Sequence, residues 1–108
     1  MCLIQNFTIL GGDRRQYYLA AQLMAAGFSV ACHQVPDLPD THASLHDALA
    51  QAEAVLLPVP ALRDAAHIKA AGDLPLDAVR ACLPAGARIF GGVLAEELFS
   101  GHVQYDYM

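Results

Sequence analysis

The stretch ILGGDRRQYYLAAQL, Ile9–Leu23, passes from an apolar run through two glycines into a helix, and its reading decides the fold. Asn6 to Leu10 is β-prone and stops at Gly11-Gly12, where the chain must turn tightly and a side chain would obstruct it. From Arg14 onward Leu19, Leu23 and Ala26 recur at i, i+4 and i+7, flanked by Ala20 and Met24, and Gly27 stands where a left-handed residue closes a helix. Strand, glycine turn and helix together make the opening half of a crossover unit.

The rest of the chain repeats that alternation. Phe28 to His33 predicts a second strand, with Phe28, Val30 and Cys32 on one face and Ser29, Ala31 and His33 on the other. Pro36 and Pro39 mark a loop. Ser44, three residues before Asp47, resembles a capping box that opens a short helix through about Ala52, with Leu45 and Leu49 facing inward. Ala54 to Val59 is a continuous apolar run, the sign of a strand covered on both faces, and Pro58 removes an amide donor near its end. Over residues 61–73 two readings compete, a ragged helix and a hairpin through His67 to Ala70 turning at Gly72-Asp73; the hairpin is preferred. A helix over Asp77 to Leu83, a strand over Arg88 to Gly91, a helix over Val93 to Ser100 closed by Gly101 and a strand over Val103 to Tyr107 complete the chain.

Parallel neighbours need crossover connections, and these are right-handed. The expected architecture is therefore a three-layer α/β fold, Rossmann-like or flavodoxin-like, with strand order 2-1-3-4-5. At 108 residues and 56% hydrophobic content, residues 1–108 form one domain with a real core.

Composition excludes several functions. A formal net charge of −5 speaks against nucleic acid, whose phosphates need a surplus of cations. No apolar run approaches the roughly 20 residues of a membrane helix, and Met1 to Asn6 lacks the layout of a secretory signal, so a cytoplasmic location is expected. Cys2, Cys32 and Cys82 are odd in number and widely spaced, which fits free thiols better than a disulfide framework. His42 and His46 are four apart but lack a third ligand nearby, and no metal site is expected.

In such a sheet ligands sit beyond the carboxyl ends of the strands, at the crevice where successive crossovers go to opposite faces, here between strands one and three. Four segments converge there: Gly11 to Gln16, His33-Gln34, Pro58-Val59-Pro60 and Gly91-Gly92. The first opens a helix and presents unpaired amides with the positive end of the dipole. It also holds Arg14 and Arg15, two of only six Lys and Arg residues, at the helix end where positive charge is disfavoured. Two readings of the pair stand open. Either Asp13 caps the helix and neutralises one arginine while the other is solvated, or at least one arginine faces a carboxylate or phosphate of a ligand.

The segment is not a dinucleotide fingerprint, because Asp13 and Gln16 occupy positions that G-x-G-x-x-G reserves for glycine. No Gly-Lys-Ser/Thr phosphate loop follows, and strand three ends in Pro-Val-Pro where a receiver domain would carry a phosphate-accepting Asp. No nucleophile dyad can be argued from spacing. His33 is the single candidate general acid or base at the crevice mouth, against the plainer reading of a solvated loop histidine. Glu96-Glu97 reads as a solvated helix face, and one of Tyr17 and Tyr18 could offer a hydroxyl to the site.

With these segments in view, the sequence resembles the N-terminal domain of the dipicolinate synthase A-subunit. The likeness rests on Ile9 to Gln16, which matches that family's Gly-Gly-Asp-x-Arg-Gln signature, and is reinforced by Leu56-Leu57-Pro58-Val59 and Ile89-Phe90-Gly91-Gly92. The resemblance implies an oxidoreductase that makes dipicolinic acid, the pyridine dicarboxylate of bacterial endospores, and hence a role in sporulation. It implies a homo-oligomer, a partner resembling the synthase's B-subunit, and NAD(P) held by a separate C-terminal domain beyond Met108, with no cofactor on this domain and no turnover by it alone. Gly11, Gly12, Asp13 and Arg15 would then form a wall of an interdomain cleft, with Arg15 anchoring a small dicarboxylate and Gln16 orienting it. Pro58, Gly91 and Gly92 would shape the opposite side. The rival readings are a non-catalytic assembly module with the Gly-Gly-Asp-Arg-Arg-Gln loop at an interface, and a domain that binds a nucleotide by itself.

Overall fold

Ile9 and Leu10, neighbours on one strand, are both fully buried but belong to different cores. Alternation along a strand sends successive side chains to opposite faces, so a strand apolar at both must be covered on both sides. The computed structural model of the chain, which describes residues 4–94 and 98–106, shows how. Its elements are β1 (Asn6–Leu10), α1 (Arg14–Ala25), β2 (Ser29–His33), α2 (Leu45–Leu49), β3 (Ala54–Leu56), β4 (Leu62–Asp64), β5 (His67–Ile68), α3 (Leu76–Cys82), β6 (Arg88–Gly91) and β7 (Gln104–Asp106).

The main sheet is parallel throughout, in the order β2-β1-β3-β6-β7. This is the expected 2-1-3-4-5 order once the small β4–β5 hairpin is set aside. Cys32, Ile9, Leu56, Phe90 and Tyr105 stand in register across the five strands. Ala20, Leu19 and Leu23 of α1 pack against the β2-β1-β3 part of that row. On the opposite face Leu10, Val55 and Ile89 meet Leu49 of α2, Val79 of α3, Ile68 of the hairpin and Phe99. Phe90 and Tyr105 stack with ring centroids 4.7 Å apart.

Local signals act as the residue types require. Ser44 Oγ accepts a hydrogen bond from the Asp47 amide at 3.1 Å and caps α2, and Gly27 takes φ +93° after α1. Three expectations are corrected. Helix α2 ends at Leu49 rather than near Ala52, because the chain tightens through Ala52 N–H to Leu49 C=O at 3.0 Å before Glu53 N–H joins Asn6 C=O. Strand β3 ends at Leu56, although the Leu57 amide still reaches Phe90 C=O at 2.7 Å; Pro58 then has no donor. The hairpin begins earlier than expected: the return through Gly72-Asp73 closes at an antiparallel His67–Pro75 bridge, with the Ile68 amide on the Leu74 carbonyl at 2.9 Å, but β5 also pairs with β4, Leu62 with Ile68 and Asp64 with His67, in a turn at Ala65-Ala66. The Asp64 carboxylate makes that turn by accepting the Ala66 amide at 2.8 Å.

Of the helix expected over Val93 to Ser100, residues 95–97 with Glu96 and Glu97 lie outside the described residues, and residues 98–101 form turns. Tyr107 and Cys2 also lie outside them. Cys32 is buried and Cys82 half-buried, both free, and burial pushes the Cys32 thiol above its ordinary pKa. No helix of the described residues is long and apolar enough to cross a membrane, and among them no three His, Cys, Asp or Glu side chains are grouped to hold a metal.

Candidate functional site

The turn after β1 is held from two sides. The Gly11 amide donates to the His33 carbonyl at 2.9 Å and the Gly12 amide to the Lys69 carbonyl at 2.7 Å, which ties the loop to β2 and to the hairpin. Both glycines take positive φ, +56° and +84°. A Cβ on Gly11 would strike the Lys69 carbonyl oxygen and press on Ala70 Cβ at 3.0 Å; one on Gly12 would strike Gln16 and lie 2.9 Å from Pro58 Cβ. The glycines are therefore demanded by packing as well as by backbone conformation.

Asp13 then starts α1. Its Oδ1 accepts the Arg15 amide at 2.9 Å as an N-cap, and the same carboxylate takes Arg15 Nε at 3.0 Å and Nη2 at 2.8 Å. Arg15 Nη2 also donates to the Val59 carbonyl at 2.7 Å, so the guanidinium clips the helix start to the loop beyond β3. Hydrogen bonds from Arg15 hold the Asp13 carboxyl down to about 2, and the carboxylate in turn raises the Arg15 pKa. Nη1 of Arg15 has no partner among the described residues. The pair lies at the surface, with side chains 43% exposed for Asp13 and 65% for Arg15.

Arg14 faces elsewhere. It pairs with Asp37 at 3.0 Å and lies over the Tyr17 and Tyr18 rings, of which Tyr17 packs on the α1 core and Tyr18 is exposed. Compensation of both arginines is thus intramolecular, and charge balance alone no longer calls for an external anion. Gln16 is buried, and its amide nitrogen bridges the Leu10 carbonyl at 3.1 Å and the Leu56 carbonyl at 3.0 Å, the carboxyl ends of β1 and β3.

The remaining segments close around this centre. The Gly92 amide meets the Pro58 carbonyl at 3.2 Å and the Gly92 carbonyl meets the Ala61 amide at 2.8 Å; a Cβ on Gly92 would penetrate the Val59 side chain, and one on Gly91 would sit 3.1 Å from Leu57 Cβ. His33, its side chain 13% exposed, places Nδ1 3.4 Å from Asp40 Oδ2 without a hydrogen bond, while Asp40 Oδ1 accepts the Gln34 amide at 2.8 Å. Gly11, Gly12, Asp13, Arg15, Gln16, Pro58 and Val59 are drawn together, Gly92 stands behind Val59 and Gly91 behind Leu57, and His33 joins through its backbone.

One neighbour carries no signal in the spacing of the motifs. Lys69, on the segment after β5, brings Nζ to 3.8 Å from Asp13 Oδ2 while its carbonyl holds Gly12 and its amide donates to Ala61 C=O at 2.9 Å. Its one mark in the sequence is that it is the sole lysine.

The chain that builds this turn matches, over residues 6–106, a family model described as the dipicolinate synthase A-subunit N-terminal domain. The chain belongs to that family. Its Rossmann-like fold is shared with the crystal structure of the dipicolinate synthase A-subunit from Bacillus halodurans, at 13% identity and a TM-score of 0.69 over 94% of this chain and 40% of that one. The corresponding dipicolinate synthase structure from Bacillus subtilis gives 16% identity and a TM-score of 0.72 over 98% and 41%. The chain therefore spans about two-fifths of the length of these solved relatives. No curated protein sequence matches it. In this member of the dipicolinate synthase A-subunit family, the signature residues form one physical unit: two glycines that admit close neighbours, an aspartate that caps, an arginine that clips and a glutamine that spans two strands.

Proposed function

We propose that this domain is the substrate-side wall of a dipicolinate synthase A-type oxidoreductase that acts in dipicolinic acid formation during sporulation. In this reading residues 1–108 are one domain of a longer two-domain chain working in the cytoplasm. NAD(P) is held by the second domain, and a B-like partner together with further copies of the chain completes the assembly. Arg15 takes one carboxylate of a dihydropyridine dicarboxylate at the cleft mouth, Gly11 and Gly12 seat the turn that presents Arg15, and Gly91, Gly92 and Pro58 shape the facing loop. Asp13 and Gln16 act by holding Arg15 and the strand ends in place, and His33, whose carbonyl holds the Gly11 amide, is the candidate proton-transfer group of this reading.

One observation carries the reading: Arg15 is fixed at the carboxyl edge of the sheet by Asp13 and Val59 C=O, with Nη1 left unpaired among the described residues. A guanidinium held on one side and open on the other is preorganised to take a carboxylate. Calorimetry with pyridine-2,6-dicarboxylate tests it. Binding by the 108-residue chain that disappears in a folded Arg15→Ala variant is expected, whereas unchanged affinity in that variant would overturn the anchor role. NADH and NADPH are expected to give no heat with this chain, and micromolar binding of either would overturn the division of labour.

A further inference from the structure

We infer that Lys69 is the second cationic anchor of this site and sets its preference for a dicarboxylate over a monocarboxylate; this rests on the reading of Arg15 as the first anchor. Arg15 Nη2 and Lys69 Nζ approach the same oxygen, Asp13 Oδ2, at 2.8 and 3.8 Å from two separate elements. The first distance is a hydrogen bond; the second is longer than any hydrogen bond, so the ammonium is drawn toward the carboxylate without donating to it. Lys69 Nζ has no hydrogen bond among the described residues, and its three donors are open to a ligand.

Its placement is nonetheless fixed. The Lys69 backbone is tied at both ends, amide to Ala61 C=O and carbonyl to Gly12 N–H, and the Ile68 beside it is fully buried. Around Asp13 there are two cations and one anion, a local excess of one positive charge in a chain whose net charge is −5. A monocarboxylate is satisfied at Arg15 Nη1. Both cations lie within 3.8 Å of one Asp13 oxygen, so they stand close enough for the two carboxylates of a small planar dianion to meet the free Arg15 Nη1 and Lys69 together. Lys69 then adds only its longer-range attraction to a ligand with one carboxylate and a charge-assisted contact to a ligand with two.

Titrations of the 108-residue chain with pyridine-2,6-dicarboxylate and with pyridine-2-carboxylate at low ionic strength read this preference directly. The unaltered chain is expected to favour the dicarboxylate by about tenfold or more, the scale of one hydrogen bond to a charged group. Lys69→Met should abolish that preference by weakening the dicarboxylate far more than the monocarboxylate, and Lys69→Arg should retain it, with urea midpoints confirming that both variants fold. A Lys69→Met variant that keeps the full preference would overturn the role of Lys69 while leaving Arg15 as anchor. Equal loss of both ligands in a folded Lys69→Met variant would also overturn it. An unaltered chain that binds neither compound would overturn both readings.

Discussion

Gln16, on the first turn of α1, donates its side-chain amide to the Leu56 carbonyl at 3.0 Å, and the same nitrogen serves the Leu10 carbonyl at 3.1 Å. One buried donor group thereby satisfies the carboxyl ends of the two central strands, β1 and β3, where the ladder runs out. The last residue of the Gly-Gly-Asp-Arg-Arg-Gln run is architectural in this chain. Gln16→Ala should cost about 2–4 kcal/mol, because two buried carbonyls lose a donor that water cannot replace. Gln16→Glu should be no better near neutral pH, since it sets a carboxylate against two carbonyl oxygens. Urea unfolding measures both, and a loss below about 0.5 kcal/mol for Gln16→Ala, the range of neutral surface changes, would refute the bridge.

Gly12 and Gly27 separate two reasons for glycine. Both have positive φ, but a Cβ on Gly27 would meet nothing within 4 Å, whereas one on Gly12 would overlap Gln16 and sit 2.9 Å from the Pro58 ring. Gly27→Ala should therefore cost only the left-handed backbone penalty, about 1–2 kcal/mol. Gly12→Ala adds overlap with a rigid ring and with the Gln16 bridge, and should cost about 3 kcal/mol or more. Equal unfolding midpoints for the two variants would show that backbone conformation alone explains Gly12.

The features legible in the sequence are those whose cause is local. Asn6 to Leu10, the cap at Ser44 and the stop at Gly27 depend on residues within a turn of each other, and crossover handedness turns that list of elements into a strand order. The β4–β5 turn is harder to read because it uses the Asp64 carboxylate on the Ala66 amide, with no glycine, whereas the return through Gly72-Asp73 to the His67–Pro75 bridge carries a glycine signal of its own. The site divides in the same way. Gly11, Gly12 and Asp13 announce a tight turn and a cap, but that Arg15 meets Val59, that Arg14 meets Asp37 and that Lys69 meets Asp13 follows from long-range packing that no spacing along the chain encodes.

Ile68 anchors the hairpin in the core it shares with α2 and α3 and is fully buried. Ile68→Ala should cost about 2–5 kcal/mol through the cavity it leaves. The loss should also reach the site, because the next residue, Lys69, supplies the carbonyl that holds the Gly12 amide. Hydrogen exchange is expected to speed up at Gly12 in Ile68→Ala by more than at β1 amides such as Ile9, which open only with the whole domain. Unaltered protection at Gly12 would mean that the loop does not depend on the hairpin.

The Asp13–Arg15 pair gives the turn a defined response to acid. Arg15 holds the folded-state carboxyl at about 2, below its ordinary 3.8, so the pair stabilises the fold fully above the ordinary value and progressively less as pH falls toward 2. Asp13→Asn keeps a capping oxygen for the Arg15 amide but removes the charge. The stability difference between the unaltered chain and Asp13→Asn should be constant above about pH 5 and shrink steadily as pH falls through the folded-state value. Because both side chains are substantially exposed, the difference should be modest and should diminish in about 1 M salt, where screening acts over roughly 3 Å. Unfolding curves collected from about pH 2 to 7 at low and high salt test this, and a difference that persists unchanged to the acid limit would assign the effect of Asp13 to its cap alone.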